Sequence, residues 1–108
     1  MVDHPGQPDQ RPAQYQIQLP PELEAGEFSD LLSVWHTAHG FTLDFAVMQQ
    51  IQPPQNPEDP SSPFTVPCRI VARLKIPPTL VFDIMKALNQ NLTTYEEGYG
   101  EIRRPDTP

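Results

Sequence analysis

The chain has 108 residues with 15 prolines, 14 acidic against 7 basic side chains, and a formal charge of −7. Proline is thus nearly three times its roughly 5 % share of an average chain, and 37 % hydrophobic residues is low. One small core is therefore the limit, a second domain is excluded at this length, and the acidic balance excludes attraction to nucleic acid or anionic lipid.

Residues 1–13 hold Pro5, Pro8 and Pro12 among polar residues and offer nothing larger than Val2 for burial, so they read as a disordered tail. No signal peptide or membrane span is evident there or elsewhere, which points to the cytoplasm. The lone Cys68 forms no intrachain disulfide or zinc site and agrees with a reducing compartment.

In chain order, residues 14–19 alternate Gln with Tyr15, Ile17 and Leu19, the period-two pattern of a half-buried strand. Pro20-Pro21 ends it. The stretches 28–37 and 41–50 flank Ala38-His39-Gly40 and predict a hairpin. With His39-Gly40 as the two-residue turn and Gly40 at positive φ, Trp35 faces Asp44 and Val34 faces Phe45. One face then carries Leu32, Val34, Phe41, Leu43, Phe45 and Val47. Residues 52–64, with five prolines, form a long, polar, mobile loop. Residues 65–76 alternate again and predict a fourth strand, with Cys68 and Ile70 inward and Arg69, Val71 and Arg73 outward.

Pro77-Pro78 suits the first turn of a helix. Val81, Ile84, Met85, Leu88, Leu92, Tyr95 and Tyr99 follow as one stripe at spacings of three or four, with Gly98 or Gly100 as the cap. No internal repeat or coiled-coil heptad run is apparent. Residues 101–108 have the character of a second disordered tail. The prediction is an α+β domain over 14–100: a four-stranded antiparallel sheet with one C-terminal helix packed on one face in two layers.

The opposite sheet face then carries Leu31, Trp35, Asp44, Ala46, Met48, Arg69, Val71 and Arg73. Such a patch, of several hundred Å² in order of magnitude, is one that monomers rarely expose, and it marks these eight residues as a self-association surface. Asp44 among apolar residues invites a catalytic role, but Arg73 or Arg69 shares its face and pairs with it. His36 points to the helix side, His39 sits in the turn and Asp44 faces away, so the three do not converge on a metal. Neither a nucleophile elbow, a phosphate-binding loop nor a paired carboxylate is present, so no catalytic residue and no cofactor is expected. Cys68, on the inward alternation, reads as an inert core thiol. Phe82 lies off the stripe and is expected to fold back on Pro77 or Pro78.

The run from Phe28-Ser29-Asp30 to Trp35-His36-Thr37, then Phe41-Thr42-Leu43-Asp44-Phe45, then Val66-Pro67-Cys68-Arg69-Ile70-Val71-Ala72-Arg73, Pro77-Pro78 and a helix ending Asn91-Leu92-Thr93-Thr94-Tyr95-Glu96, resembles a bacterial family. It is the family grouped as domain of unknown function 3467, and the likeness spans about residues 14–99. The resemblance implies a small cytoplasmic bacterial protein and brings no activity, cofactor or catalytic residue. The element order also looks like that of the B-type bacterial export chaperones, which are acidic oligomers, in topology and charge alone. The expectation is a non-enzymatic homo-oligomer with an unidentified protein partner, an adaptor or chaperone-like module using its second sheet face or an edge. The alternative is a small-ligand-binding protein or weak enzyme with a cleft between subunits near His36, Asp44 and Arg73.

Overall fold

The computed structural model of the chain describes residues 10–103. A 3-10 turn at Pro21–Leu23 precedes strands β1 (Leu31–Thr37), β2 (Gly40–Met48) and β3 (Cys68–Ile76), and helix α1 (Pro78–Tyr99) ends the fold. The three strands form an antiparallel sheet in the order β1-β2-β3. This is an α+β fold, but the sheet has three strands and not four. The alternating residues 14–19 pair with nothing: Tyr15 and Ile17 are 88 % and 94 % exposed. Alternation makes a segment fit for a sheet, yet a strand forms only where it pairs, and 14–19 joins neither β1 nor β3 although both are sheet edges. The tail assignments for 1–9 and 104–108 lie outside the described residues.

The hairpin forms two residues out of the predicted register. Thr37 pairs with Gly40, Trp35 with Thr42, Val34 with Leu43 and Ser33 with Asp44. The turn residues are Ala38 and His39, neither at positive φ. The Thr37 hydroxyl oxygen accepts the His39 amide at 3.1 Å and stabilises this tighter turn. Gly40 instead begins β2, where a Cβ would stand 2.9 Å from the Ile76 carbonyl oxygen. Glycine is thus required for close approach of β3, not for a positive φ. A shift of two preserves side-chain parity, so the apolar set Leu32, Val34, Phe41, Leu43 and Phe45 still shares a face.

At the far end of the hairpin, the Ser29 hydroxyl lies 2.8 Å from the Ala46 carbonyl oxygen. The Asp30 carboxylate accepts the Met48 amide at 2.9 Å. These contacts clip the entry of β1 onto the exit of β2. The 52–64 loop is closed at its base by reciprocal amide bonds between Gln52 and Thr65, at 2.7 and 3.3 Å. Inside it, Asp59 accepts the amide and hydroxyl of Ser61 at 2.9 and 2.7 Å.

Between β2 and β3 the ladder slips at Phe45/Ala46: Phe45 pairs with Ala72 but Ala46 pairs with Ile70, which leaves Val71 as an extra residue. This bulge reverses the predicted facing of the strand before it. Cys68 and Ile70 come to the face of Ala46 and Met48, whereas Arg69 comes opposite Val47 on the helix side. Cys68 is accordingly exposed and not a core thiol, its Sγ 3.4 Å from the Val66 carbonyl oxygen.

Helix α1 starts on Pro77 as N-cap with Pro78 as its first residue. It ends where Gly100, at φ 94°, donates its amide to the Glu96 carbonyl oxygen at 2.9 Å. Gly100, and not Gly98, is the cap. Only the first turns lie over the sheet: Val81, Ile84 and Met85 roof an apolar cavity of about 170 Å³ floored by Leu32, Val34, Phe41, Leu43 and Ile76. From Leu88 onward the stripe runs on uncovered, with Leu88 66 % and Tyr99 81 % exposed. Phe82 is also exposed and does not fold back on the prolines.

Burial is correspondingly sparse. Ala46 is the one buried apolar residue among those described, and Thr42 and Asp44 are buried beside it. The chain exposes 10521 Å², where a compact fold of this length would expose about 6,000 Å².

Candidate functional site

The buried residues of β2 all lie on the second sheet face, so that face holds the best-defined side-chain cluster of the molecule. Its centre is Asp44, 5 % exposed. The neighbouring strands bring one partner from each side: β1 supplies Trp35 and β3 supplies Arg73. Arg73 grips the carboxylate with two bonds, Nε to Oδ1 at 2.6 Å and a terminal guanidinium nitrogen to Oδ2 at 2.9 Å. The Trp35 indole N–H points at Oδ2 from 3.4 Å. The Arg73 guanidinium carbon lies 5.8 Å from the centre of the Trp35 ring, within cation–π range.

The Arg73 hydrogen bond dominates the electrostatics, holding the Asp44 carboxyl below its ordinary value against the opposing effect of desolvation. The same pairing raises the Arg73 guanidinium above its own ordinary value. No buried side-chain nitrogen or oxygen among the described residues lacks a partner. The lowered carboxyl is ionised near neutral pH and takes three donors, one on Oδ1 and two on Oδ2.

Of the eight predicted surface residues, Leu31, Trp35, Asp44, Ala46, Met48 and Arg73 share this face. The bulge removes Arg69 to the other side and leaves Val71 out of the alternation. Asp44 selects Arg73 as its partner for the same reason, since only Arg73 lies directly across from it. Ile70 and Cys68 join the face in exchange, and no feature of the alternating sequence marks the slip that carries them there. Around the cluster, Leu31, Trp35, Met48 and Ile70 are substantially exposed.

His36 is on the helix side, where its ring stacks on Phe41 at 5.3 Å and 30°. It therefore does not meet Asp44 or Arg73. Among the described residues no three His, Cys, Asp or Glu side chains group around a common point. At the hairpin end of the second face, Trp35, Thr37, His39, Thr42 and Lys75 line an open hollow of about 410 Å³ with Gly40, Phe41, Ile76 and Pro77.

The fold and site together define a small α+β protein: an antiparallel meander with a C-terminal helix, carrying a Trp–Asp–Arg cluster ringed by apolar side chains. The chain belongs to the family described as Protein of unknown function (DUF3467), whose family model matches residues 1–104. Searches of curated proteins and of solved structures give no match to it. No helix among the described residues is long and apolar enough to cross a membrane.

Proposed function

We propose that the protein is a non-enzymatic, self-associating interaction module of the bacterial cytoplasm, an adaptor or chaperone-like protein that makes contacts through its second sheet face. The observation that carries this reading is the exposure of Leu31, Trp35, Met48 and Ile70, 39–49 % each, around the Asp44 cluster, an apolar ring that a protein interface of ordinary size would cover. The second face suits such use because its one buried charge, Asp44, is neutralised by the half-exposed Arg73, leaving an aromatic and an arginine amid apolar neighbours, the composition of an interface centre. β1 and β3 are both sheet edges, and either supports strand addition by a protein partner.

Sedimentation of the full chain tests the reading. The wild-type chain is expected to be oligomeric and Trp35→Asp to dissociate or shrink it; a strict wild-type monomer, or an unchanged particle in Trp35→Asp, refutes it. A second reading, ligand binding in a cleft between subunits, draws support from the 410 Å³ hollow beside Trp35 and Lys75. It predicts a small molecule retained in native mass spectra of protein taken directly from cells.

A further inference from the structure

The second half of α1 carries an apolar stripe that no other element among the described residues covers. Leu88, Leu92, Tyr95 and Tyr99 line an open groove of about 500 Å³ with Asn91 and Thr94. Tyr95 and Tyr99 stack at 5.0 Å and so present a continuous surface. From Met85 to Tyr99 the apolar positions are separated by three, four, three and four residues. That is the narrow seam of a helix facing one other helix, in contrast to the wider stripe that a sheet would require. The same helix rests on its own sheet only through Val81, Ile84 and Met85, and its 22 residues span about 33 Å. Roughly half of it therefore projects past the sheet.

We propose that this projecting half is the docking surface for a second copy of the chain, the two helices packing antiparallel with Leu88 against Tyr99 and Leu92 against Tyr95 of the other copy. The inference deepens the reading of the protein as self-associating and rests on it. Several observations select this occupant. A helix end that projects beyond its own sheet, with its seam turned to the sheet side, can meet an identical helix end without collision between the two sheets. Each sheet then lies beyond the end of the opposite helix. The leucines meet tyrosines, so large and medium side chains alternate across the seam. Antiparallel alignment opposes the two helix dipoles and keeps the Glu96-Glu97 pairs of the copies from lying side by side, which parallel alignment would force on an already acidic chain. The contact is isologous and closes on itself, as a stable dimer requires. Leu88, Leu92, Tyr95 and Tyr99, 43–81 % exposed, supply the apolar area of such a helix pair, and the second sheet face stays free for its own contact.

The test uses the full chain. Leu88→Asp combined with Leu92→Asp is expected to halve the particle mass in sedimentation and to weaken association at least ~100-fold, whereas Gln90→Asp, off the seam, leaves it unchanged. Spin labels at Asp83→Cys or Glu97→Cys, in a Cys68→Ser background, report the alignment without disturbing the seam. An antiparallel pair centred between residues 93 and 94 makes the 83–83 distance about 10–15 Å longer than the 97–97 distance, while a parallel pair makes them equal. A monomeric wild-type chain overturns both this pairing and the proposed function. A particle mass unchanged by the double substitution, or equal label distances, overturns the helix pairing alone and leaves self-association through the sheet standing. If the double variant does not fold, the label distances decide.

Discussion

Gly40→Ala probes the place where the fold differs most instructively from the expected one. A Cβ at residue 40 stands 2.9 Å from the backbone oxygen of Ile76 and 3.9 Å from its carbon. Because the obstacle is backbone in a paired strand, it does not swing aside as a side chain would. Either β3 retreats by several tenths of an ångström or the pairing of Phe41 with Ile76 weakens. Such overpacking costs about 1–3 kcal/mol. Against this stands a gain of about 0.5–1 kcal/mol from the reduced freedom of the unfolded chain, since Gly40 is not at positive φ. The net is a loss of about 1–2 kcal/mol, or about 5–15 °C in Tm for a domain this small. Thermal melts at one fixed protein concentration measure it, because the proposed self-association would make Tm concentration-dependent. Gly98→Ala is the matched control: it lies inside α1 with nothing within 4 Å of the added methyl, and it should raise stability by about 0.5–1 kcal/mol. A Gly40→Ala protein that melts at or above wild type would show that β3 does not press on residue 40, and the start of α1 would lose its anchor.

Two further outcomes follow from the Asp44 cluster. Since Arg73 lowers the folded-state pKa of Asp44, the unfolded chain binds more protons between the folded value and the ordinary 3.8, so stability rises with pH across that window. The contribution is complete above 3.8 and disappears as pH falls through the lower folded value; Asp44→Asn should flatten this acid limb in melts recorded from pH 2 to 6, and an unaltered limb would contradict the pairing. Trp35 is the only tryptophan, 43 % exposed in the single chain. If the second face is an interface, acrylamide quenching of its fluorescence falls as protein concentration increases; quenching independent of concentration, in a chain that does oligomerise, places the contact elsewhere.

The elements that local chemistry controls were legible in the sequence. Pro77-Pro78 and Gly100 bound α1, and the three-and-four spacing of its apolar residues identifies the stripe. The Asp44 pairing with an arginine of the last strand was legible too, because alternation puts Asp44 and Arg73 on one sheet face and the hairpin register between β1 and β2 does not affect it. The features that escaped are non-local. The turn at Ala38-His39 rather than His39-Gly40 is decided by β3 closing on Gly40, thirty-six positions before its contact at Ile76. The bulge at Val71 lies in a run whose alternation is unbroken in the sequence, and only pairing with β2 shows that Arg69 and Ile70 exchange faces. Alternation at 14–19 describes a segment ready to pair and says nothing of whose edge it would join.

That last point bears on why so little of the chain is buried. Burial in β2 falls on Thr42, Asp44 and Ala46, while Phe41, Leu43, Phe45 and Val47 on the helix side are only half-buried. Small and polar residues are covered because the long side chains of Trp35 and Arg73 close over them from either side. The large apolar residues opposite need a whole layer, and α1 supplies just its first turns before running past the sheet. A sequence that places its larger apolar side chains on the less covered face, and extends a helical seam beyond its own sheet, is locally consistent but globally incomplete as one chain. In the proposed self-association the uncovered helix half and the second sheet face are separate surfaces, each filled by its counterpart in another copy, and the two contacts need no change in the elements themselves.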